Sequence, residues 1–518
     1  MATSEGGLRE LMAGQLAIWY GHQLAPENPY FNGGEYLELH GDVDLGLLVR
    51  ASRRLMEEAD AVRLRIREVD GQPLQYFHDV ADYPVDVIDV SGDADPRAAA
   101  ERLMWEDIRQ ERGAADRALY GIKIFTAGPR LTLWYQRAYH VILDGRSIGL
   151  IVGRLSQIYN ALLQGDSVDE TALPSSTVLM EAERDYRASA DYEADREYWR
   201  GVLAGMPVAE DLGGSHARRV QGAPVRSLED VDDSVAANLK STARRLGTNF
   251  AGLMISAAVL YQHHRTGQRD VVVGVPVSGR VGTRDLAVPL MTHNVLPIRV
   301  EISPDTTVGD LVRRTTRAVF QGLRHQRYRY EEMLHDAALG EGDLWDLTIN
   351  VMSFDIYSLP FGDCTITAHN LASGPVDGTR IDVYDRSGME IAVDVNGDAP
   401  GLTPGDEVCR RFLALANWLA SVETDERVSR SGLLDAVERR RVLVEWNDTA
   451  VGVEGGTLPG LFEAQVALTP GAVAVVFEGV EVSFAELDAR ANRLARLLVG
   501  RGVTVGSVVG VCLERGVE

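Results

Sequence analysis

The sequence predicts an α/β (α+β) protein built as two similar halves with a cleft between them. Three observations carry this. Stretches of strand periodicity alternate with stretches of helical periodicity along most of the chain. The pattern runs twice, near 1–180 and 190–430, with a polar, charged segment at 165–200 between the two. And 518 residues exceed what a single core ordinarily serves.

The elements follow in order. YLELHGDVDLGLL (36–48) alternates apolar and polar side chains up to a Gly-Asp turn, as a strand does, and 45–58 then reads as a helix. VRLRI (62–66) is a second strand, and the Ala-, Arg- and Glu-rich 97–112 is helical. GIKIFTAGPRLTLWYQRAYH (121–140) reads as a hairpin turning at Gly128-Pro129. Ile148, Ile151, Leu155, Ile158 and Leu162 then fall on one helical face. In the second half, helices are expected at 233–246, 249–264, 307–323 and 406–421, and strands at 270–277, 347–354, 381–386 and 389–395.

Composition changes near residue 436. A charged helix and turn (438–450) lead into a Gly/Pro linker (453–460), then helix, hairpin, helix and strand to the end. Some sixty such residues cannot close a core of their own. The expected division is 1–185 and 186–435 as two lobes, 436–456 as linker, and 457–518 as the start of a further domain.

Charge and cysteine usage narrow the function. With 52 basic against 76 acidic residues the net charge is −24, which repels a phosphate backbone, so no nucleic-acid partner is expected. Cys364, Cys409 and Cys512 are odd in number and widely spaced, giving no disulfide framework and no zinc spacing. That pattern fits a reducing cytoplasm. The N-terminus lacks a signal-peptide pattern, and no apolar run approaches the ~20 residues a bilayer span needs. A cytoplasmic monomer, with no metal and no membrane association, is expected.

The chemistry sits in Tyr139-His140-Val141-Ile142-Leu143-Asp144-Gly145. A strand delivers His140 to its end, Gly145 permits a tight turn, and Asp144 is placed to cap the next helix. Imidazole titrates near neutrality, so His140 can take a proton from an attacking amine and return one later. Spacing alone describes equally well a histidine that ends a strand and an aspartate that caps a helix. Other conspicuous residues have plainer readings. Trp19, Trp134 and Tyr135 are core aromatics, His325 is structural or at the surface, and His263-His264 is a surface pair near a helix end.

The string resembles the His-His-x-x-x-Asp-Gly signature of condensation domains of nonribosomal peptide synthetases, with Tyr139 at the first His position. WYQRAYHVILDG (134–145) is similar to the same stretch in siderophore-forming members. Further segments resemble family motifs in the family's order: MAGQLAIW (12–19), ADAVRLRI (59–66), PVSGR (276–280), MTHNVLPIRV (291–300), RHQRYRYEEM (324–333), and INVMSFD (349–355) with LASGPVDG (371–378). WNDTA (446–450) resembles the usual linker and VSFAEL (482–487) the first adenylation motif.

The resemblance implies two chloramphenicol-acetyltransferase-like lobes in a V-shaped pseudo-dimer, crossed by a central tunnel with His140 at its middle. It implies an amide-forming acyltransferase that binds no cofactor itself. Its substrates ride on 4′-phosphopantetheine arms of two carrier proteins. The donor acyl, aryl or peptidyl carrier is expected in trans, since nothing precedes Met1, and the downstream peptidyl carrier in cis. Catalytic roles fall to His140 as base or amine-aligning group and to the Gly145 backbone N–H as oxyanion donor. Asp144 is expected to pair with an arginine, Arg280 first and Arg63 second, and Tyr139 to substitute structurally for the first His. Asn294 and Ser373 are candidates for the tunnel wall. Three alternatives are a dehydrating variant, a non-catalytic gate, and a coenzyme A-dependent acyltransferase of the same superfamily. Residues 457–518 lack the later adenylation motifs, so no ATP–pyrophosphate exchange is expected of them.

Overall fold

The computed structural model describes residues 7–24, 31–79, 84–110, 117–168, 173–206, 224–338, 344–352, 359–372, 374, 376, 378–385, 388–396, 403–452 and 455–517. Within these the chain forms two compact units, Met1–Asp435 and Ala436–Glu518. The expected strand ends at Ser353-Phe354 and Arg386, the linker residues Val453-Glu454, and Ser373 fall outside the described residues.

The larger unit is mixed α/β, organised around two sheets. The first has five strands in the order Thr365–Ala372, Asn32–His40, Leu131–Tyr139, Tyr120–Gly128, Val85–Asp89. Tyr120–Gly128 and Leu131–Tyr139 form the expected hairpin, and Asn32 lies opposite Tyr139 in the neighbouring register. The second has six strands in the order Asn294–Glu301, Asp270–Val277, Leu347–Met352, Thr379–Asp385, Met389–Asn396, Pro224–Val231. Here Leu347–Met352 runs parallel to both its neighbours. A three-stranded sheet holds Arg9–Glu10, Gln72–Phe77 and Leu64–Val69.

Local chemistry accounts for the helices that flank these sheets. Leu45–Glu58 begins where the Asp44 carboxylate accepts the Leu47 N–H, and it buries Leu48, Leu55 and Met56. Gly145–Gln164 begins at Asp144 in the same way and ends at Gly165 in the left-handed region. Phe250–Thr266 is buried along nearly its whole length, with Asn249 as its cap. Val308–Arg324 opens with a reciprocal capping box between Thr307 and Asp310.

Three differences from the sequence reading have physical reasons. The polar segment at 165–200 holds two helices, Thr177–Arg187 and Ala190–Leu203. Each buries only two or three side chains, among them Tyr186 and Trp199, so its apolar stripe is too sparse to register as a period. The two halves are not sequential: Thr365–Ala372 leaves the second half and adds an edge strand to the first sheet. His263 and His264 are half-buried rather than at the surface. His263 Nδ1 lies 2.6 Å from the Gln268 carbonyl, and His264 Nε2 lies 2.7 Å from Ser431 Oγ.

The smaller unit contains helix Leu458–Leu468, hairpin Val473–Phe477/Val480–Ser483 and helix Phe484–Gly500. Glu478 and Gly479 both have positive φ, as a two-residue hairpin turn requires. Val482 alone is buried among its described residues, so these elements enclose no core of their own.

Candidate active site

The geometry starts at the end of strand Leu131–Tyr139. The His140 N–H donates to the Phe31 carbonyl (2.8 Å), and the chain then turns, closed by Ile142 N–H to Tyr139 O (3.0 Å). Gln15 Nε2, from helix Ala13–Leu24, donates to Val141 O (3.1 Å) and ties the N-terminal motif to this turn. Asp144 then caps the following helix through Ser147 N–H (2.9 Å).

Asp144 is also the junction between the two halves. Arg280 Nη1 donates to its Oδ2 (2.8 Å) and Nη2 to its Oδ1 (3.3 Å). The Thr292 N–H donates to Oδ2 (3.0 Å), and Ser147 Oγ–H to Oδ1 (2.7 Å). Arg280 Nη2 also reaches the carbonyls of Leu290 (2.6 Å) and Val288 (3.2 Å). Both charged groups are buried, and these donors hold the Asp144 carboxyl well below the usual carboxylate range against the opposing effect of burial. Gly279, with φ +67° and a virtual Cβ only 2.2 Å from Thr292 O, allows the backbone before Arg280 to pass this close. Arg63, the second candidate partner, is elsewhere: its turn (Asp60–Arg63) precedes the small sheet, and its Nη1 donates to His78 O (3.2 Å).

A cavity of about 720 Å³ opens beside this junction. His140, Gly145 and Phe31 line it from the first half, and His293, Asn294 and Arg380 from the second. His140 Nδ1 is buried and, among the described residues, has no hydrogen-bond partner. Burial pulls its imidazole below the ordinary value, against the pull of Asp144. The ring is therefore neutral near pH 7 and able to accept a proton. Gly374, at φ +95°, packs against it; a Cβ there would lie 3.1 Å from His140 Cδ2. Gly145 lines the cavity at the first turn of the motif helix, where backbone N–H groups lack intrahelical partners.

Tyr139 is fully buried, and its hydroxyl lies 2.6 Å from His22 Nδ1. His22 stacks on Phe31 at 5.1 Å between ring centroids. Asn294 lines the cavity, but its amide is occupied: Nδ2 donates to Gln326 O (3.0 Å) and Tyr328 O (2.7 Å), and Oδ1 accepts from Tyr330 N–H (3.1 Å). It holds the 326–330 loop. His325 pairs with Asp195 (2.7 Å) and stacks on Tyr198.

Two features of the site were not found from sequence. His293 faces His140 with centroids 6.1 Å apart. The second sheet also carries a buried charge network: Arg380 pairs with Asp382 (3.0 Å) and Asp394 (2.5 Å), and Arg226 with Asp394 (2.7 Å). The available signal was the charged Arg380, Asp382 and Asp394 in strands whose remaining pattern is largely that of buried strands.

A condensation-domain family model matches residues 9–369, well over half the sequence. The chain belongs to the condensation-domain family. Residues 462–518 match the AMP-binding enzyme family. Among curated proteins the chain is similar to a dimodular nonribosomal peptide synthase of Bacillus subtilis (strain 168), at 34% identity over 98% of the chain and 21% of that protein. An isonitrile lipopeptide synthase of Streptomyces coeruleorubidus is 32% identical over 98% of the chain and 34% of the relative. Enterobactin synthase component F of Escherichia coli (strain K12) is 27% identical, over 98% and 39%. The chain thus spans between a fifth and two-fifths of these relatives. Among solved structures, a mutant starter condensation domain of rhizomide synthetase RzmA in complex with C8-CoA and Leu-SNAC superposes with a TM-score of 0.77. It is 29% identical, over 83% of this chain and 98% of that one. The first condensation domain of the calcium-dependent antibiotic synthetase, with a substrate analogue, gives 0.75 at 27% identity, over 83% and 99%. The larger unit is thus a condensation domain, an amide-forming acyltransferase of the nonribosomal peptide synthetase family. Among the described residues no helix is long and apolar enough to cross a membrane, and no group of three metal-ligating side chains occurs.

Three outcomes follow. Asp144→Ala should lower stability by about 3–5 kcal/mol, because it leaves Arg280 buried without its carboxylate; a variant that melts like wild type yet is inactive overturns this and gives Asp144 a direct chemical role. Tyr139→Phe should cost about 1–3 kcal/mol in chemical denaturation by leaving His22 Nδ1 without its hydroxyl partner, and should change condensation less than about tenfold; unchanged stability refutes the pairing. Burial also pushes His264 down to about 4 and His293 to about 3. Between pH 6.5 and these values the unfolded chain binds more protons, so folding stability falls as pH drops. From pH 7 to 5.5 wild type should lose about 1 kcal/mol more than His264→Gln; equal losses rule out a depressed His264.

Proposed function

We propose that the domain joins a donor acyl, aryl or peptidyl thioester to the amine of an aminoacyl thioester. The donor arrives on a carrier protein in trans and the acceptor on the downstream carrier of the same polypeptide. Both substrates enter the cavity on phosphopantetheine arms. The observation that carries this reading is the neutral imidazole of His140 in the cavity wall, on a turn fixed by the Asp144–Arg280 pair.

His140 takes the amine proton or aligns the amine, and the Gly145 N–H faces the developing oxyanion. Thioesters are already activated, so positioning two tethered reactants supplies much of the rate. Asp144 and Arg280 hold the architecture, and Tyr139 fills the first motif position structurally. The unpaired Cys364, Cys409 and Cys512 support a cytoplasmic setting.

One observation favours a second donor. The rhizomide synthetase neighbour is in complex with C8-CoA, so a coenzyme A thioester is the competing acyl source. Parallel assays with the same acyl group on a carrier and on coenzyme A separate the two.

His140→Ala should keep the fold and lower single-turnover amide formation by at least ~10²-fold, measured by product mass with preloaded carriers. A wild-type rate in the variant sinks this role.

A further inference from the structure

We infer that His293 is a second catalytic group of the condensation site, a neutral imidazole that donates an N–H to the thioester carbonyl oxygen as it becomes an oxyanion. This rests on the reading of His140 as the proton acceptor.

The argument begins with backbone placement. Thr292 N–H is bonded to Asp144 Oδ2 (3.0 Å), and Thr292 Oγ1–H to Ser278 O (2.7 Å). Asn294 is locked to the 326–330 loop by three hydrogen bonds. The carbonyl of His293 itself accepts from Arg329 Nη1 (2.6 Å). The residue is therefore pinned before, after and at its own backbone, as a group held for chemistry must be. Its side chain lines the same cavity as His140, with ring centroids 6.1 Å apart and planes tilted by 57°. Among the described residues, no protein hydrogen bond engages either ring nitrogen of His293.

Gly145 and His293 each sit one residue beyond the Asp144–Thr292 hydrogen bond, and both line the cavity. Two groups with N–H donors thus line the wall near one junction, and His140 lines the same cavity beside His293. Burial, with His140 and Arg329 acting in the same direction, pushes the His293 pKa down to about 3. A histidine so depressed stays neutral at working pH; it is a poor base and a good hydrogen-bond donor.

The step balances. The amine nitrogen attacks the thioester carbon, a C–N bond forms, and the carbonyl π pair moves to oxygen. The nitrogen's proton passes to His140, and His293 with Gly145 bonds the oxyanion. On collapse the C=O re-forms, the C–S bond breaks, and the thiolate leaves with the proton from His140.

The test compares His293→Leu, which removes the donor at similar size, with His293→Gln, which keeps an N–H. Kinetics use the acyl-CoA and aminoacyl-N-acetylcysteamine pair that the full wild-type chain converts fastest. His293→Leu should lower kcat about 10²-fold, with KM changed less than about threefold and the acid limb of the pH profile unmoved. His293→Gln should recover to within about tenfold of wild type. Unchanged kcat in His293→Leu overturns the inference. Equal losses in both variants with lowered Tm reduce His293 to packing, and a shifted acid limb makes it the base. Imidazole nitrogen NMR of the full chain needs no substrate: His293 should stay neutral to pH 5, and a cationic ring above pH 6 overturns the proposal. If His140→Ala keeps full activity while His293→Leu loses it, the role of His140 fails and that of His293 stands.

Discussion

The buried pair Asp144–Arg280 is the constraint from which the site is built. A carboxylate and a guanidinium withdrawn from water are costly unless further hydrogen bonds back the pair. Here Asp144 takes donors from Ser147 and Thr292 as well as Arg280, and Arg280 reaches the carbonyls of Val288 and Leu290. Those residues come from opposite halves of the chain, so satisfying one charge fixes the distance between a motif turn and a distant loop. The apolar packing agrees, since Val288 and Leu290 are buried within the core of the first half. His140 and His293 inherit their facing positions from this one junction.

Arg380 and Asp382 of the cavity wall belong to a charge network that runs back into the second sheet. Arg226, Arg380, Asp382 and Asp394 pair among one another along adjacent strands. Two cations against two anions leave little net field, and the polar wall is rigid. Two imidazoles, His140 and His293, also line the wall, and burial lowers the pKa of both. This suits thioester aminolysis. In the proposed reaction the reactants bring their own activation, and the protein is asked for a proton acceptor and oriented N–H groups.

Legibility in the sequence followed the density of the local signal. The hairpin 120–139 and the helices at 45–58 and 250–266 lie within a few residues of expectation, because their apolar periodicity is dense and their turns carry Gly or Asp. His140 at a strand end and Asp144 as a helix cap were legible as local rules, whereas Arg280 was expected only from the family resemblance, since its pairing with Asp144 spans 136 residues. The exchange of Thr365–Ala372 into the first sheet was not legible, since no local pattern names a strand's partner. His293 was missed for the same reason. It stands in the motif-like MTHNVLPIRV beside Asn294, but only the meeting of two segments some 150 residues apart makes it face another histidine. The helices at 177–203 were lost because two or three buried side chains per helix are enough to dock it but not to reveal a period.

The tyrosine at the motif's first position shows how far the hub reaches. Tyr139 ends the strand that carries His140, and its neighbour across the sheet is Asn32, at the start of the next strand. Its hydroxyl meets His22 from the N-terminal helix, and His22 stacks on Phe31, whose carbonyl in turn accepts the His140 N–H. The aromatic hydroxyl and the imidazole thus form one closed circuit behind the His140 ring: Tyr139, His22, Phe31, His140. Because that circuit is buried, an unpaired member would cost a desolvated polar group, and the tyrosine is tolerated because His22 supplies the partner. The same helix places Gln15 on Val141 O, so it braces the turn on both sides of His140. Asp144 fixes the turn against the second half, and the N-terminal helix fixes it against the first. The residue between these two anchors is His140, the base of the proposed reaction.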